Sequence, residues 1–80
     1  MRLIAEFTTE PFVGEGDPPP HATAALRAAE EAGLECDFGP LGTSVSGAQD
    51  EVLPALAQVL AAAFANGATR LTLQVERADE

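Results

Sequence analysis

From Arg2 to Thr9 the residues alternate: Leu3, Ala5 and Phe7 fall on one parity, and Arg2, Ile4, Glu6 and Thr8 on the other. A period of two marks a strand with one buried face. Pro11 ends it, and a loop rich in Gly and Pro runs from Phe12 to Pro20. Asp17 stands before Pro18-Pro19-Pro20. Asp is a good N-cap and Pro is tolerated in a first helical turn, which predicts a helix opening near Pro20 or His21. Ala22, Ala25, Leu26, Ala29 and Ala32 then follow at helical spacing with Glu30 and Glu31 outward, and Gly33 is the expected C-cap.

The period returns to two at Leu34, Cys36 and Phe38, predicted to face inward with Glu35 and Asp37 outward. A returning strand is expected over Thr43 to Ser46. Between the two lies Gly39-Pro40-Leu41-Gly42-Thr43, longer and stiffer than a tight two-residue hairpin requires. Such a segment can present a backbone edge and the Thr43 hydroxyl to a small molecule, although a wide hairpin with a bulge is the plainer reading. Asp50 is the predicted cap of a second helix whose start is constrained by Pro54. Its apolar face is Val52, Leu53, Leu56, Val59, Leu60, Ala63 and Phe64, and Asn66-Gly67 ends it. A last strand buries Leu71, Leu73 and Val75 and exposes Thr72, Gln74 and Glu76.

The order β-α-β-β-α-β predicts an α+β, ferredoxin-like sandwich: a four-stranded antiparallel sheet with both helices on one face. One domain over residues 1–80 is expected. The first and third strands are read as parallel, which would put Glu10 and His21 at one sheet end and Thr43 toward the other. The outer face of the sheet would carry Arg2, Ile4, Glu6, Thr8, Arg70, Thr72, Gln74 and Glu76, free for solvent, a second subunit or a ligand.

A chain of 80 residues has a thin core, so self-association would help it and a deep cavity of its own is not expected. Four Arg and no Lys stand against 13 Asp and Glu, a net charge of −9. That balance argues against nucleic acid and anionic membranes, and permits a cationic ligand. The missing Lys excludes a Schiff-base nucleophile and a P-loop phosphate lysine. One cysteine, Cys36, excludes an intrachain disulfide and a Cys-based metal cluster, and reads as a core residue. Strand-like sequence from Arg2 leaves no room for a signal peptide, so a cytoplasmic location is expected.

His21, at a helix start, is favoured as a neutral ring by the positive end of the helix dipole, and can hydrogen-bond a ligand or simply pack on its own first turn. With a single histidine, no histidine metal site is expected. Glu6 and Glu10 share the outward parity roughly 13 Å apart, too far for a glycosidase carboxylate pair. Each can act as an acceptor for an aminopyrimidine or as a counter-ion to a cation, although a solvated or subunit-contact charge is the plainer reading. Ser44, Ser46 and Thr43 lack the motif of a Ser-His-acid triad. The phosphate-cradling loop of acylphosphatase, which shares the topology, depends on an arginine, and residues 10 to 20 contain none.

Several segments together resemble the small thiamine-binding protein family across nearly the whole chain. They are Glu10-Pro11, His21-Ala22, Ala32-Gly33-Leu34, Gly39-Pro40-Leu41-Gly42-Thr43, Gly47 with Asp50-Glu51-Val52, and Asn66-Gly67-Ala68-Thr69-Arg70-Leu71. The resemblance implies a ferredoxin-like dimer or tetramer that binds thiamine or its hydroxymethylpyrimidine half, with no catalysis and no separate cofactor or metal. It places a polar ligand contact at Thr43. Many relatives carry Ser and Thr in the first loop, where this chain reads Phe12-Val13-Gly14-Glu15-Gly16-Asp17-Pro18-Pro19-Pro20-His21, so it resembles a divergent branch with His21, Glu10 or both in place of those hydroxyls. The expected ligand residues are Glu6, Thr8, Glu10, His21, Thr43 and Gln74, with Phe12 or Phe38 stacking on a ring. A regulatory or scaffolding module that binds a protein partner through its open sheet face is the alternative.

Overall fold

The period of two at the start of the chain produces a strand with one buried face. In the computed structural model, which describes residues 1–12, 16–39 and 42–78, Arg2–Glu10 is strand β1 with Leu3, Ala5 and Phe7 buried. Helix α1 follows at Pro20–Glu31, strand β2 at Glu35–Gly39, strand β3 at Gly42–Ala48, helix α2 at Gln49–Ala65 and strand β4 at Arg70–Arg77. The sheet order is β2-β3-β1-β4 and every neighbouring pair is antiparallel. This is the ferredoxin-like α+β arrangement that the element order predicts.

One expectation about that sheet is overturned. β1 and β3 are antiparallel, with Phe7 opposite Thr43 and Leu3 opposite Gly47. Each β-α-β crossover brings its second strand back parallel to its first, and the remaining strand fits between them running the other way. Thr43 therefore lies at the same sheet end as Glu10 and His21.

The core is built from short side chains. Leu3, Ala5, Phe7 and Val45 rise from the sheet to meet Ala25 and Ala29 of α1, and Val52, Ala55, Leu56, Val59 and Ala63 of α2. Gly47 contributes by lacking a side chain: a Cβ there would sit 3.0 Å from Leu34 Cδ2 and 3.5 Å from Val52 Cγ2.

The helix ends differ from expectation in their caps. Pro19, not Asp17, is the N-cap of α1, and no side chain caps it. Pro20 at the first helical position has no N–H to satisfy, and the Pro19 carbonyl accepts from the Ala22 and Thr23 amides. Ala48, not Asp50, is the N-cap of α2; Asp50 and Glu51 sit in its first turn, where the helix dipole favours acidic groups. Gly33 follows α1 with a φ of 86°, the left-handed conformation a helix C-terminus calls on.

Burial departs from the pattern at the margins. Phe38 and Val75 have the inward parity yet are 40% and 42% exposed, because β2 and β4 are the edge strands. Leu53 and Phe64, read as core, are 48% and 51% exposed on a flank of α2 that the sheet does not reach. The hairpin is also tighter than the sequence suggests. Gly39 pairs with Gly42, so two residues connect the strands; those two, Pro40 and Leu41, lie outside the described residues.

Candidate functional site

Parity divides the candidate residues between two faces. Glu6, Thr8 and Glu10 point away from the helices on β1, and the register sets Glu6 opposite Gln74, Thr8 opposite Thr72, and Glu10 opposite Arg70. On the other side of β1, Glu6 is opposite Ser44 of β3. Directly opposed residues in an antiparallel pair have Cβ atoms about 5 Å apart. Ser44, Glu6 and Gln74 thus form one polar row across three strands, and Thr8 and Thr72 form a second beside it. Glu10 is the outer residue of the group and its carboxylate lies 3.6 Å from the Arg70 guanidinium, both largely in solvent. An exposed pair of this kind contributes little to stability.

His21 and Thr43 belong to the opposite, helix-facing side. His21 is 3% exposed. Its Nδ1 lies 2.6 Å from Thr9 Oγ1, and its Nε2 lies 3.1 Å from the Pro11 carbonyl oxygen. A carbonyl can only accept, so Nε2 donates to it. With the ring neutral, Nδ1 then accepts from the Thr9 hydroxyl. Both nitrogens are occupied within the chain, which ties the start of α1 to the end of β1. Thr43 is buried on the same face, opposite Phe7 and Phe38. Of the two stacking candidates, Phe38 borders Thr43, and Phe12 stands exposed just beyond β1. The first-loop residues Val13, Gly14 and Glu15 lie outside the described residues.

Thr9 is not among the expected site residues and becomes legible only once the start of α1 is placed over the sheet, whereas Arg70, expected on the outer face, gains Glu10 as its partner from the β1–β4 register. Cys36 is half-buried, with its thiol donating to the Leu34 carbonyl at 3.5 Å. Burial first, and then the negative charge of Glu30, push its pKa above the usual thiol value. The described surface depressions are elsewhere. One of about 310 Å³ lies between the end of α1 and the start of α2, and a shallower one lies under Met1 and Leu53. Among the described residues no group of three or more His, Cys, Asp or Glu is placed to hold a metal ion, and no helix is long and apolar enough to cross a membrane.

Comparison with known proteins agrees with this architecture. The chain matches the family described as thiamine-binding protein over residues 5–79. No curated protein matches it in sequence. Among solved structures, it resembles a Streptococcus pneumoniae protein with a TM-score of 0.71 at 18% identity, over 95% of this chain and 83% of that one. A hypothetical protein of Methanocaldococcus jannascii gives 0.69 at 23% identity, over 99% and 84%. A Thermotoga maritima protein provisionally assigned to thiamine biosynthesis or salvage gives 0.68 at 20% identity, over 95% and 81%. At such identities these structures speak for the fold.

Proposed function

This chain belongs to the thiamine-binding protein family, and on that premise we propose that it binds thiamine or a related aminopyrimidine on the outer face of its sheet without transforming it. The observation that carries the proposal is the register of Glu6 against Gln74. A carboxylate and a primary amide about 5 Å apart offer acceptors for an exocyclic amine and a donor for a ring nitrogen. Thr8, Thr72 and Ser44 supply hydroxyls around them. Glu35, Asp37 and Glu76 share that face with Glu6, and Glu10 closes its end, so the field there favours a thiazolium cation. His21 and Thr43, in this reading, fix the sheet end from the other side.

A sheet face is open, and ligands of this size are held where most of their surface is covered. The proposal therefore includes an oligomer, a dimer or tetramer, in which a second copy helps enclose the ligand. It also includes a cytoplasmic setting, where an unpaired Cys36 stays reduced.

Calorimetric titration with thiamine and, in parallel, hydroxymethylpyrimidine tests the reading. Saturable binding is expected, and Glu6→Ala or Gln74→Ala should each weaken it by about 1–2 kcal/mol, the worth of a hydrogen bond to a charged or polar partner. No heat from either titrant at millimolar protein would sink the ligand and leave a protein partner as the occupant of the same face.

A further inference from the structure

Glu10 is an exposed residue at the end of a strand, yet its backbone is held on every side. Its carbonyl accepts from the Thr69 amide at 2.7 Å and from the Thr69 hydroxyl at 3.3 Å. Its two chain neighbours are both tied to His21, Thr9 through its hydroxyl and Pro11 through its carbonyl. A side chain on a backbone supported in this way keeps its place when a ligand meets it. The register sets Glu10 opposite Arg70, with the carboxylate 3.6 Å from the guanidinium. An exposed pair adds little to stability, so its consequence lies in what it presents to the outer face.

Glu10 ends the column that holds Glu6 and Thr8 on β1, and Arg70 ends the column of Gln74 and Thr72 on β4. From Glu6 to Glu10 is four residues, roughly 13 Å. A two-ring ligand anchored by its amine between Glu6 and Gln74, and lying over Thr8 and Thr72, brings its far end to Glu10 and Arg70. In the opposite direction the next outward residue of β1 is Ile4, whose side chain has no hydrogen bond to offer. Beside Thr8, Gly42 and the Gly39 opposite it carry no side chains, which leaves the face low there.

Charge on this face is unevenly placed. Among its described residues the cations are Arg2 and Arg70, and Arg2 stands eight residues from Glu10 along β1, roughly 27 Å away. Arg70 is therefore the cation that the far end of the ligand would meet, and Glu10 already offsets its charge. Glu6, Glu35, Asp37 and Glu76 leave the remainder negative.

We infer that Glu10 makes the outer face selective for a ligand ending in a free alcohol and against its phosphate esters. The inference deepens the proposed function and rests on its reading of that face as the ligand site. A hydroxyl donates to the Glu10 carboxylate. A phosphate ester carries a charge of about −1.5 to −2 at pH 7 and oxygens that accept. It meets a carboxylate held in place and a guanidinium whose charge is already matched, and like charges a few Å apart repel.

Calorimetric titration of the full chain with thiamine and with thiamine monophosphate is the test, read as the ratio of the two dissociation constants. Wild type should bind the monophosphate about tenfold or more weaker than thiamine. Glu10→Gln, an exposed and nearly isosteric change, frees Arg70 and should narrow the ratio about fivefold, whereas Arg70→Gln should widen it. Glu31→Gln removes the same charge from the exposed end of α1 and should leave the ratio unchanged. Equal binding of the two ligands by wild type, or a ratio indifferent to Glu10→Gln, overturns this inference while thiamine binding keeps the proposed function standing. A ratio that moves as far with Glu31→Gln as with Glu10→Gln also overturns it, since net charge and not Glu10 would then set the selectivity. Failure of wild type to bind either ligand overturns the proposed function and this inference with it.

Discussion

Replacing His21 with alanine should unmake the join between α1 and β1, and the structure sets the scale of the loss. The ring is 3% exposed and both of its nitrogens are engaged, by Thr9 at 2.6 Å and by the Pro11 carbonyl at 3.1 Å. Each hydrogen bond is worth about 1 kcal/mol net, and removal of the buried ring adds roughly 1–2 kcal/mol of lost packing. The sum is about 3–4 kcal/mol, against a total of roughly 4–12 kcal/mol for a domain of this size. Urea denaturation followed by far-UV dichroism should therefore show a markedly lower midpoint, and thermal melting a drop on the order of 10 °C or more. Thr9→Val removes one of the two bonds and should cost about 1 kcal/mol. The double variant should lose less than the sum of the singles, because the Thr9 contact can be lost only once. If His21→Ala stays within about 0.5 kcal/mol of wild type, the histidine is not a structural tie and the reasoning fails.

Three further outcomes follow from local geometry. Pro54 is the sixth residue of α2 and cannot donate to the Asp50 carbonyl, so Pro54→Ala should raise stability by about 1–3 kcal/mol, read from the urea midpoint. A Cβ on Gly42 would meet the Phe7 carbonyl oxygen at 3.1 Å and Thr8 Cγ2 at 3.0 Å, so Gly42→Ala should lower stability by about 1–3 kcal/mol. Burial, seconded by Glu30, keeps the Cys36 thiol protonated in the fold at pH values where the unfolded chain ionises. The folded state then holds the extra proton, so this contribution is complete below the ordinary thiol range and is lost as pH rises through it. Wild type should accordingly lose more stability than Cys36→Ala between about pH 7 and pH 10, and alkylate more slowly than a free thiol at about pH 8.

The elements were legible because each carries its own period: two for Leu3, Ala5 and Phe7, and between three and four for Val52, Leu56, Val59 and Ala63. What the period cannot carry is the place of a strand in the sheet. Val75 and Phe38 keep the correct parity and still face solvent, since exposure at an edge depends on which helix lies above. Strand direction is likewise a property of the crossovers and not of local sequence, which is why Thr43 sits with Glu10 and His21 at one end instead of across the sheet. The caps failed for a third reason. Asp17 and Asp50 are good cap residues, but Pro20 has no amide to cap and the Gln49 amide at the start of α2 already donates to the Met1 carbonyl.

The same distinction orders the candidate site. Residues chosen by parity, Glu6, Thr8 and Gln74, come together in register because parity survives folding intact. Residues chosen by their chemistry do not join them: His21 and Thr43 are polar groups turned toward the helices, and His21 already has two partners. A ligand on the outer face would thus be read by side chains whose positions the sheet register fixes, while the inner polar groups hold the strand ends that set that register. Damage to His21 should consequently appear first as lost stability, and damage to Glu6 or Gln74 as lost binding in a chain that still folds. Comparing the urea midpoint with the calorimetric affinity in the three variants separates the two roles; equal loss of both in all three would refute the division of the site by face.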